Sequence, residues 1–331
     1  MYIEDLKFSL WCDFVERSFL ETEFVDLINA GTINGATSNP AIFKSAILTS
    51  PAYKKDIEAM QDLTPKETYE ALAIKDIKKA AEKLLPLYKK GDDGFISIEV
   101  DPFLCDDANG TIEEGRRLFQ QIDMPNVMIK VPATKAGYVA MQQLISEGIN
   151  VNATLIFSVE QTKHCLEAFK AGSASCQASV LPKAVISVFV SRFDRMLDTK
   201  LAALDLPVSK VGIYNALNVY RLIERYALSN VRCLFASTGV KGDALEADYY
   251  IKGLLCKNSI NTAPLATIKY FIQQSCDNNV PKEEEIELFF DTIKKSGIDV
   301  DAACDALMQD GLESFKVAFQ EILETLSSYK R

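Results

Sequence analysis

The 331-residue sequence has only one histidine, His164, and it lacks the loops that mark several enzyme classes. A metal site built from several histidines cannot form, and a Ser-His-Asp triad could use only His164, which we expect to be solvated, so both are nearly excluded. Neither a Gly-x-x-x-x-Gly-Lys phosphate loop nor a Gly-x-Gly-x-x-Gly dinucleotide loop is present. His164 follows a Ser158/Gln161 capping box, beside the apolar face of a predicted helix, so we expect a solvated or boundary side chain.

The eight cysteines are scattered along the chain, and no two of them form a Cys-x-x-Cys pair. This spacing argues against a zinc site and against a disulfide framework, and it is typical of reduced cytosolic thiols. Together with the single histidine, it leads us to expect neither a resident metal ion nor a cofactor.

A secretion signal, a membrane span and a basic surface are also missing. The first residues, MYIEDLKFSLWCDF, lack a basic start and a long apolar core, and no window approaches the roughly 20 apolar residues of a membrane span. The net charge is −10, and no dense cluster of lysine and arginine provides the basic face typical of nucleic-acid binders. We expect a cytoplasmic monomer or homodimer, without nucleic-acid or membrane partners, that concentrates a few cations wherever it binds an anionic substrate.

Eight short strand-like runs recur along the chain, with helical patterns between them. Alternating strands and helices predict a parallel sheet, and eight repeats predict a (β/α)8 TIM barrel. The eighth run has the weakest pattern. The runs are residues 8–13, 33–38, 94–100, 126–132, 150–156, 184–190, 231–237 and 259–262.

Two segments exceed the minimal barrel. Residues 40–90 are lysine-rich and helical, and residues 281–328 predict helices that cap or flank the barrel at the C-terminus. Because no Gly/Ser/Pro-rich linker interrupts the chain, residues 1–331 are predicted to form one barrel domain.

One lysine, Lys130, stands inside the apolar run VMIKVPAT of the fourth predicted strand. Side chains alternate along a strand, so Val127, Ile129 and Val131 share one face and Lys130 lies on the other. In a barrel, the first face packs on the outer helices and the second points into the lumen. A buried ammonium is costly unless it is paired or loses its proton, so this position requires an explanation.

Polar residues occur in the same phase at the carboxyl ends of other predicted strands. An isolated polar residue on a strand usually makes a structural hydrogen bond or lies at the surface. That explanation does not account for so many in one phase, and the carboxyl end of a barrel is where catalysis occurs. The set comprises Asp13, Asn39, Glu99, Lys130, Asn152, Thr154 and Ser187.

A lysine beside carboxylates, without histidine or metal, suits Schiff-base catalysis. The amine must be neutral to attack a carbonyl, and at the reference pKa only about one lysine in 2,500 is neutral at pH 7. A shift of about 3 units through desolvation would bring a lysine into the useful range, whereas nearby carboxylates act in the opposite direction. The carboxylates also provide the proton transfers that dehydration and carbon–carbon cleavage need.

The sequence resembles the transaldolase family in eight stretches that run in order from residue 10 to residue 264. They are LWCDF, GATSNPAIF, SIEVDP, VMIKVPAT, NVNATLIFS, VISVFVSRFD, LFASTGVK and INTAP. TSNPAIF, EVDP, IKVPAT and NATLIFS are specific in combination, although each alone is a weak match. The resemblance implies a (β/α)8 barrel whose Schiff-base lysine lies on the fourth strand, which agrees with the position of Lys130.

The resemblance also implies roles for the catalytic residues. Lys130 would form the imine with the C2 carbonyl of a ketose. Asp13 would take the C4 hydroxyl proton as the C3–C4 bond breaks, and would return a proton in the second half-reaction. Glu99 and Thr154 would hold a water that relays protons.

Further residues are assigned to the substrate by the same resemblance. Asn39, Asn152 and Ser187 would hold the dihydroxyacetone unit, and Arg192 with Ser237 would bind the phosphate of a sugar-phosphate substrate. The implied reaction is that of the pentose phosphate pathway: dihydroxyacetone moves from sedoheptulose 7-phosphate to glyceraldehyde 3-phosphate, which gives erythrose 4-phosphate and fructose 6-phosphate.

One position departs from the family pattern. Many transaldolases place an arginine two residues after the serine of the seventh strand, but here that residue is Gly239. The nearest cation is Lys241, which we predict to bind the phosphate in its place. Lysine offers a point charge instead of a bidentate fork.

Two other functions stay open. The first is a Schiff-base aldolase that releases free dihydroxyacetone; the flanking helices favour transfer, since simple barrel aldolases need none. The second is a non-catalytic barrel that binds sugar phosphates. It needs the cations but not Lys130 and Asp13 together, so the complete catalytic set argues against it.

Overall fold

The centre of the fold is a closed barrel of eight parallel strands, seen in a computed structural model that describes residues 2–272 and 280–329. Each strand pairs with the next, and the eighth pairs with the first, where Ser9 lies opposite Ile260. The predicted (β/α)8 barrel is confirmed, and so is each of its eight strands. The strands are Phe8–Cys12 (β1), Gly35–Thr37 (β2), Phe95–Glu99 (β3), Val127–Pro132 (β4), Asn150–Ile156 (β5), Ala184–Phe189 (β6), Val231–Ala236 (β7) and Ile260–Ala263 (β8).

Helices connect the strands and surround the barrel. The α-helices of the described residues are Arg17–Glu21 (α1), Glu23–Asn29 (α2), Pro40–Thr49 (α3), Lys54–Ala59 (α4), Pro65–Lys89 (α5), Ala108–Ile122 (α6), Lys135–Ser146 (α7), Val159–Ser175 (α8), Ser191–Ala202 (α9), Val211–Tyr226 (α10), Tyr249–Lys252 (α11), Leu265–Phe271 (α12), Glu283–Lys295 (α13) and Val300–Ser328 (α14). A short strand, Tyr2–Ile3, pairs antiparallel with β1 and was not predicted. No α-helix of the described ranges is long and apolar enough to cross a membrane.

The additional helices lie where the sequence predicted them. Helices α3, α4 and α5 occupy residues 40–90, and α13 and α14 occupy the C-terminal segment. Helix α14 begins at an N-cap, since Asp299 Oδ1 accepts a hydrogen bond from the Ala302 backbone N–H. It packs against α3 and α5 and also contacts β5 and α9. This course brings α14 across the carboxyl end of the barrel.

The two faces of β4 divide as the alternation predicts. Ile129 is fully buried, and it lies against Gly115 of α6, where an added Cβ would come within 3.3 Å of Ile129 Cγ2. The outer face of the strand therefore packs on helices. Lys130 is on the other face, in register with Glu99 of β3 and Asn152 of β5.

The amino end of the barrel is filled by a large side chain. Trp11 is fully buried, and its indole Nε1 donates to Asp93 Oδ2 at 3.0 Å. Arg232 donates to the other carboxylate oxygen of Asp93 at 2.6 Å. Gly35 of β2 makes room for the indole, because a Cβ there would lie 2.5 Å from Trp11. Polar groups for chemistry are thus left at the carboxyl end.

The lone histidine is solvated, as predicted. The His164 side chain on α8 is 56% exposed and lies 3.5 Å from Glu160. Both hydrogen bonds of the Ser158/Gln161 capping box are present: each side chain accepts from the backbone N–H of the other residue.

Candidate active site

Lys130 is the centre of the polar cluster in the lumen. Its side chain is 6% exposed, and its Nζ lies 3.5 Å from Glu99 Oε2. Nζ also donates a hydrogen bond of 3.1 Å to the backbone carbonyl of Ser38, at the end of β2. The ring of Phe315, from α14, lies over the same nitrogen with its centroid 5.8 Å away. The amine is therefore held in a buried site with one carboxylate, one carbonyl and one aromatic face.

Glu99 and Thr154 each have a buried side-chain oxygen atom that lacks a hydrogen-bond partner among the described residues. These atoms are Glu99 Oε2, which approaches Lys130 only at ion-pair distance, and Thr154 Oγ1. Burial raises the pKa of the Glu99 carboxyl to about 7, the Lys130 ammonium opposes this shift, and the Asp13 carboxylate adds to it. A carboxyl group with that pKa is present in both protonation states near neutral pH, which suits a group that donates and accepts protons in turn.

Asp13 follows β1 and lies at the mouth of the lumen. Its Oδ1 accepts a hydrogen bond of 2.6 Å from Thr37 Oγ1. Burial raises the pKa of the Asp13 carboxyl, although the Lys130 ammonium and the Thr37 hydroxyl act in the opposite direction. The charge of Asp13 also influences Glu99, so the two carboxyl groups and Lys130 form one electrostatic unit.

Asn152 and Ser187 are connected to each other. Ser187 Oγ donates to Asn152 Oδ1 at 2.6 Å, and Asn152 Nδ2 donates to Ser97 Oγ at 2.9 Å. All three side chains are buried. These bonds orient the Asn152 amide on the strand next to Lys130. The sequence predicted Asn152 and Ser187 as site residues, but not Ser97.

Asn39 has a structural role that its phase does not reveal. It is the N-cap of α3, and its Oδ1 accepts a hydrogen bond of 3.0 Å from the Ile42 backbone N–H. The cap starts α3 directly after Ser38, the residue whose carbonyl accepts from Lys130. A contact between Asn39 and substrate stays a prediction.

Ser191, the residue before Arg192, contacts Ser237. The Oγ atoms of Ser191 and Ser237 lie 3.1 Å apart, and the Ser191 N–H donates to the Ser237 carbonyl at 3.0 Å. Arg192 is half-buried in the first turn of α9, and its guanidinium carbon lies 5.2 Å from the centroid of the Phe189 ring. No carboxylate of residues 2–272 and 280–329 lies within ion-pair distance of it. Asp310 acts on the Arg192 charge only from beyond that distance. A half-buried arginine without a close ion pair is suited to an anionic ligand.

Gly239, which stands where many transaldolases have an arginine, has little space for a side chain. A Cβ at this position would lie 2.9 Å from Pro264 Cγ, so a side chain here requires the loop to shift. Lys241, two residues further, is exposed, and it makes no hydrogen bond or ion pair within the described part of the chain. The structure does not bring Lys241 into contact with Arg192 or Ser237, so its binding of phosphate stays a prediction.

The comparisons agree with this geometry. The family model for transaldolase/fructose-6-phosphate aldolase matches residues 10–326. The chain belongs to this family. It is 48% identical to a transaldolase of Campylobacter jejuni strain RM1221 over 329 residues, which cover 97% of this chain and 99% of that protein. It is 44% identical to a transaldolase of Helicobacter pylori strain HPAG1 over 322 residues, which cover 96% and 99% of the two chains.

Several residues of this transaldolase-family site were not predicted as part of it. Thr37 and Ser97 had a signal, because each lies in the phase of the lumen-facing residues of its strand. The Ser38 carbonyl had none, since a backbone acceptor leaves no mark in the sequence. Phe315 had none either, because its position depends on where α14 crosses the barrel.

Proposed function

We propose that this enzyme transfers a dihydroxyacetone unit between sugar phosphates through a Schiff base on Lys130. The donor is sedoheptulose 7-phosphate and the acceptor is glyceraldehyde 3-phosphate, and the products are erythrose 4-phosphate and fructose 6-phosphate. The observation that carries the proposal is the buried Lys130 amine within 3.5 Å of Glu99, in one electrostatic unit with Asp13. Membership of the transaldolase family supports it.

The first step is attack of Lys130 Nζ on the C2 carbonyl of the ketose, followed by loss of water to give the imine. This step needs a group that delivers a proton to the departing hydroxyl and recovers it later. Glu99 and Thr154 hold a water for that purpose, and support comes from their two buried oxygen atoms without protein partners. The raised pKa of Glu99, about 7, matches the task.

The second step is cleavage of the C3–C4 bond. Asp13 takes the proton of the C4 hydroxyl, the C4 carbonyl forms, and the electron pair of the broken bond moves into the iminium to give an enamine on Lys130. The aldehyde product then leaves and the acceptor aldehyde enters. C3 of the enamine attacks the acceptor carbonyl while Asp13 returns the proton to the new hydroxyl, and hydrolysis of the imine releases the product. Kinetics of this kind are ping-pong.

The remaining residues bind the substrate. Asn39, Asn152 and Ser187 hold the dihydroxyacetone unit, and the bond from Ser187 to Asn152 fixes the direction of the amide for this purpose. Arg192 and Ser237 bind the phosphate together with Lys241. Support for this assignment is that Arg192 makes no close ion pair with any of the described residues.

The decisive experiment traps the imine. The enzyme is incubated with fructose 6-phosphate, reduced with borohydride, digested and analysed by mass spectrometry. The proposal expects a reduced adduct on Lys130 that is absent in Lys130→Ala. An adduct on another lysine contradicts the mechanism, and a bound but unmodified protein indicates a non-catalytic sugar-phosphate barrel.

An aldolase that releases free dihydroxyacetone is the second candidate, because the description of the family includes fructose-6-phosphate aldolase. Free dihydroxyacetone is therefore measured with and without glyceraldehyde 3-phosphate or erythrose 4-phosphate as acceptor. Transfer predicts little free product and a large increase in exchange when the acceptor is added. Release at the same rate with and without acceptor identifies an aldolase.

A further inference from the structure

Two threonines on the strands that flank β1 form a hydrogen-bonded chain that ends at Asp13. Thr37 Oγ1, at the end of β2, donates to Asp13 Oδ1 at 2.6 Å. Thr262 Oγ1, on β8, lies 2.6 Å from Thr37 Oγ1. The two threonines are only 2% and 3% exposed. Their contact exists because β1 pairs with β2 on one side and with β8 on the other.

The number of protons fixes the direction of this chain. An ionised carboxylate only accepts hydrogen bonds, and a threonine hydroxyl has a single proton to donate. Thr37 gives its proton to Asp13, so its oxygen accepts from Thr262. Thr262 is then the donor at the far end of the chain, and both hydroxyl groups stabilise the ionised form of Asp13.

Strand β8 also holds the backbone of Asp13. The Asp13 N–H donates to the Ala263 carbonyl at 2.9 Å, next to Thr262 in the sequence. The Thr262 carbonyl in turn accepts from Thr238 Oγ1 at 3.0 Å. The hydrogen bonds of the described residues include none to Asp13 Oδ2, which leaves that oxygen to the lumen.

We propose that Thr262 is a positioning residue for the reaction: acting through Thr37, it fixes Oδ1 of Asp13 and favours the carboxylate form, so that Oδ2 exchanges the proton with the substrate. This inference rests on the role proposed above for Asp13. Thr262 itself does not touch the reacting atoms, and its effect is expected on the pH dependence of bond cleavage.

The charged groups that face Asp13 come from two other strands. They are the Lys130 ammonium on β4 and the Glu99 carboxyl on β3, and the thiol of the adjacent Cys12 is buried and kept neutral by a raised pKa. Burial raises the pKa of Asp13, and the Thr37 hydroxyl lowers it. Loss of the hydrogen bonds from the two threonines therefore keeps Asp13 protonated up to a higher pH, which removes the base that cleavage requires.

The test follows cleavage alone, in single turnovers with enzyme in excess over fructose 6-phosphate, as release of glyceraldehyde 3-phosphate between pH 5 and pH 9. Thr262→Val keeps the shape of the side chain and removes the hydroxyl. We expect its acid limb to move to higher pH, with a rate at pH 6 about three- to tenfold below wild type and a smaller loss at pH 8. Thr262→Ser restores the wild-type profile, since it returns the donor.

Thr238→Val is the matched control, because it removes a buried hydroxyl that follows β7 and donates to Asn261 and to the Thr262 carbonyl, while none of its hydrogen bonds is to Asp13 or Thr37. Its acid limb stays at the wild-type position. A Thr262→Val limb that coincides with the control overturns the proposal, as does a Thr262→Ser variant that fails to restore the profile.

A double-mutant cycle tests whether Thr262 acts on Asp13 through Thr37 or whether the two threonines act independently. Thr37→Val breaks the link to Asp13, so Thr262→Val added to it is expected to produce no further movement of the acid limb. If the shifts of the acid limb in the two single variants add up in the double variant, Thr262 acts by another route and the proposal is overturned. Thermal unfolding of each variant is measured in parallel, and Thr262→Ser provides a folded comparison.

Asp13→Asn distinguishes a failure here from a failure of the proposed function. If this variant cleaves fructose 6-phosphate with the wild-type pH profile, the role of Asp13 is wrong and the inference fails with it. If it does not cleave and Thr262→Val has a wild-type profile, only the role of Thr262 is wrong.

Discussion

Phe315 of the C-terminal helix lies over Lys130, with its ring centroid 5.8 Å from the Nζ atom. The ring is 6% exposed, and one turn earlier Gly311 lies against Leu155 of β5, where an added Cβ would approach the Leu155 side chain to 2.8 Å. The close approach at Gly311 lets α14 come down onto the barrel mouth. The Lys130 amine is thus covered by a residue about 185 positions away in the sequence.

The first prediction concerns this cover. Phe315→Leu shortens the side chain while keeping it apolar, and we expect water to reach the enamine more easily. Release of free dihydroxyacetone relative to transfer should rise about three- to tenfold, with little change in donor cleavage. The ratio is measured with fructose 6-phosphate as donor and erythrose 4-phosphate as acceptor.

Phe319→Leu is the control for Phe315, since Phe319 is on the same helix but packs against Tyr69 and Phe103. Its ratio of release to transfer should equal that of wild type. Equal ratios in both variants would show that Phe315 does not exclude water.

The second prediction concerns Lys130 itself. Lys130→Arg keeps a cation beside Glu99 but cannot form an imine, so the chain should remain folded while transfer falls by at least about 10³-fold. Borohydride reduction should give no adduct. Substantial transfer by this variant would contradict covalent catalysis.

The third prediction is the effect of Glu99 on stability. Its folded-state pKa of about 7 is above the ordinary value of 4.5, so the folded protein binds this proton more tightly than the unfolded chain. The resulting stability is present below about pH 4.5 and is lost as pH rises toward 7.

Glu99→Gln does not titrate and should not show this loss. From pH 5 to pH 8, the difference in unfolding free energy should change in favour of the variant by about 2 kcal/mol. Urea unfolding at four pH values measures it. A constant difference over that range would mean that Glu99 is ionised throughout.

The fourth prediction concerns Lys241. Lys241→Ala should raise the KM for phosphorylated ketoses about five- to twentyfold and leave unphosphorylated ketoses little changed, because only the phosphate loses a cation. Lys183→Ala is the control, since Lys183 is exposed at the start of β6, at the opposite end of the barrel. An unaltered KM in Lys241→Ala would refute the assignment.

The sequence predicted what depends on local pattern. Alternation along each strand placed Lys130 and Glu99 on one face, and the structure puts them in register on neighbouring strands. The same pattern gave the barrel, because eight alternating units leave few other ways to bury one face of every strand.

What the sequence did not predict depends on contacts between distant segments. The bond between Thr37 and Thr262 joins residues 225 positions apart and appears only when the sheet closes. The cover over Lys130 depends on the packing of α14 against α3 and α5. Asn39 shared the phase of the lumen residues, yet its side-chain oxygen Oδ1 caps α3. Phase alone does not distinguish a helix cap from a substrate ligand.

The pairing of β1 with β8 has a consequence for synthesis of the chain. Until Ile260–Ala263 has left the ribosome, β1 lacks its β8 neighbour, and the edge of β7 that binds β8 is open as well. Open edges of parallel, apolar strands are templates for pairing with other chains. Between the synthesis of β7 and that of β8, the nascent protein therefore carries both open edges, and any delay in this interval lengthens the time during which it is exposed to aggregation.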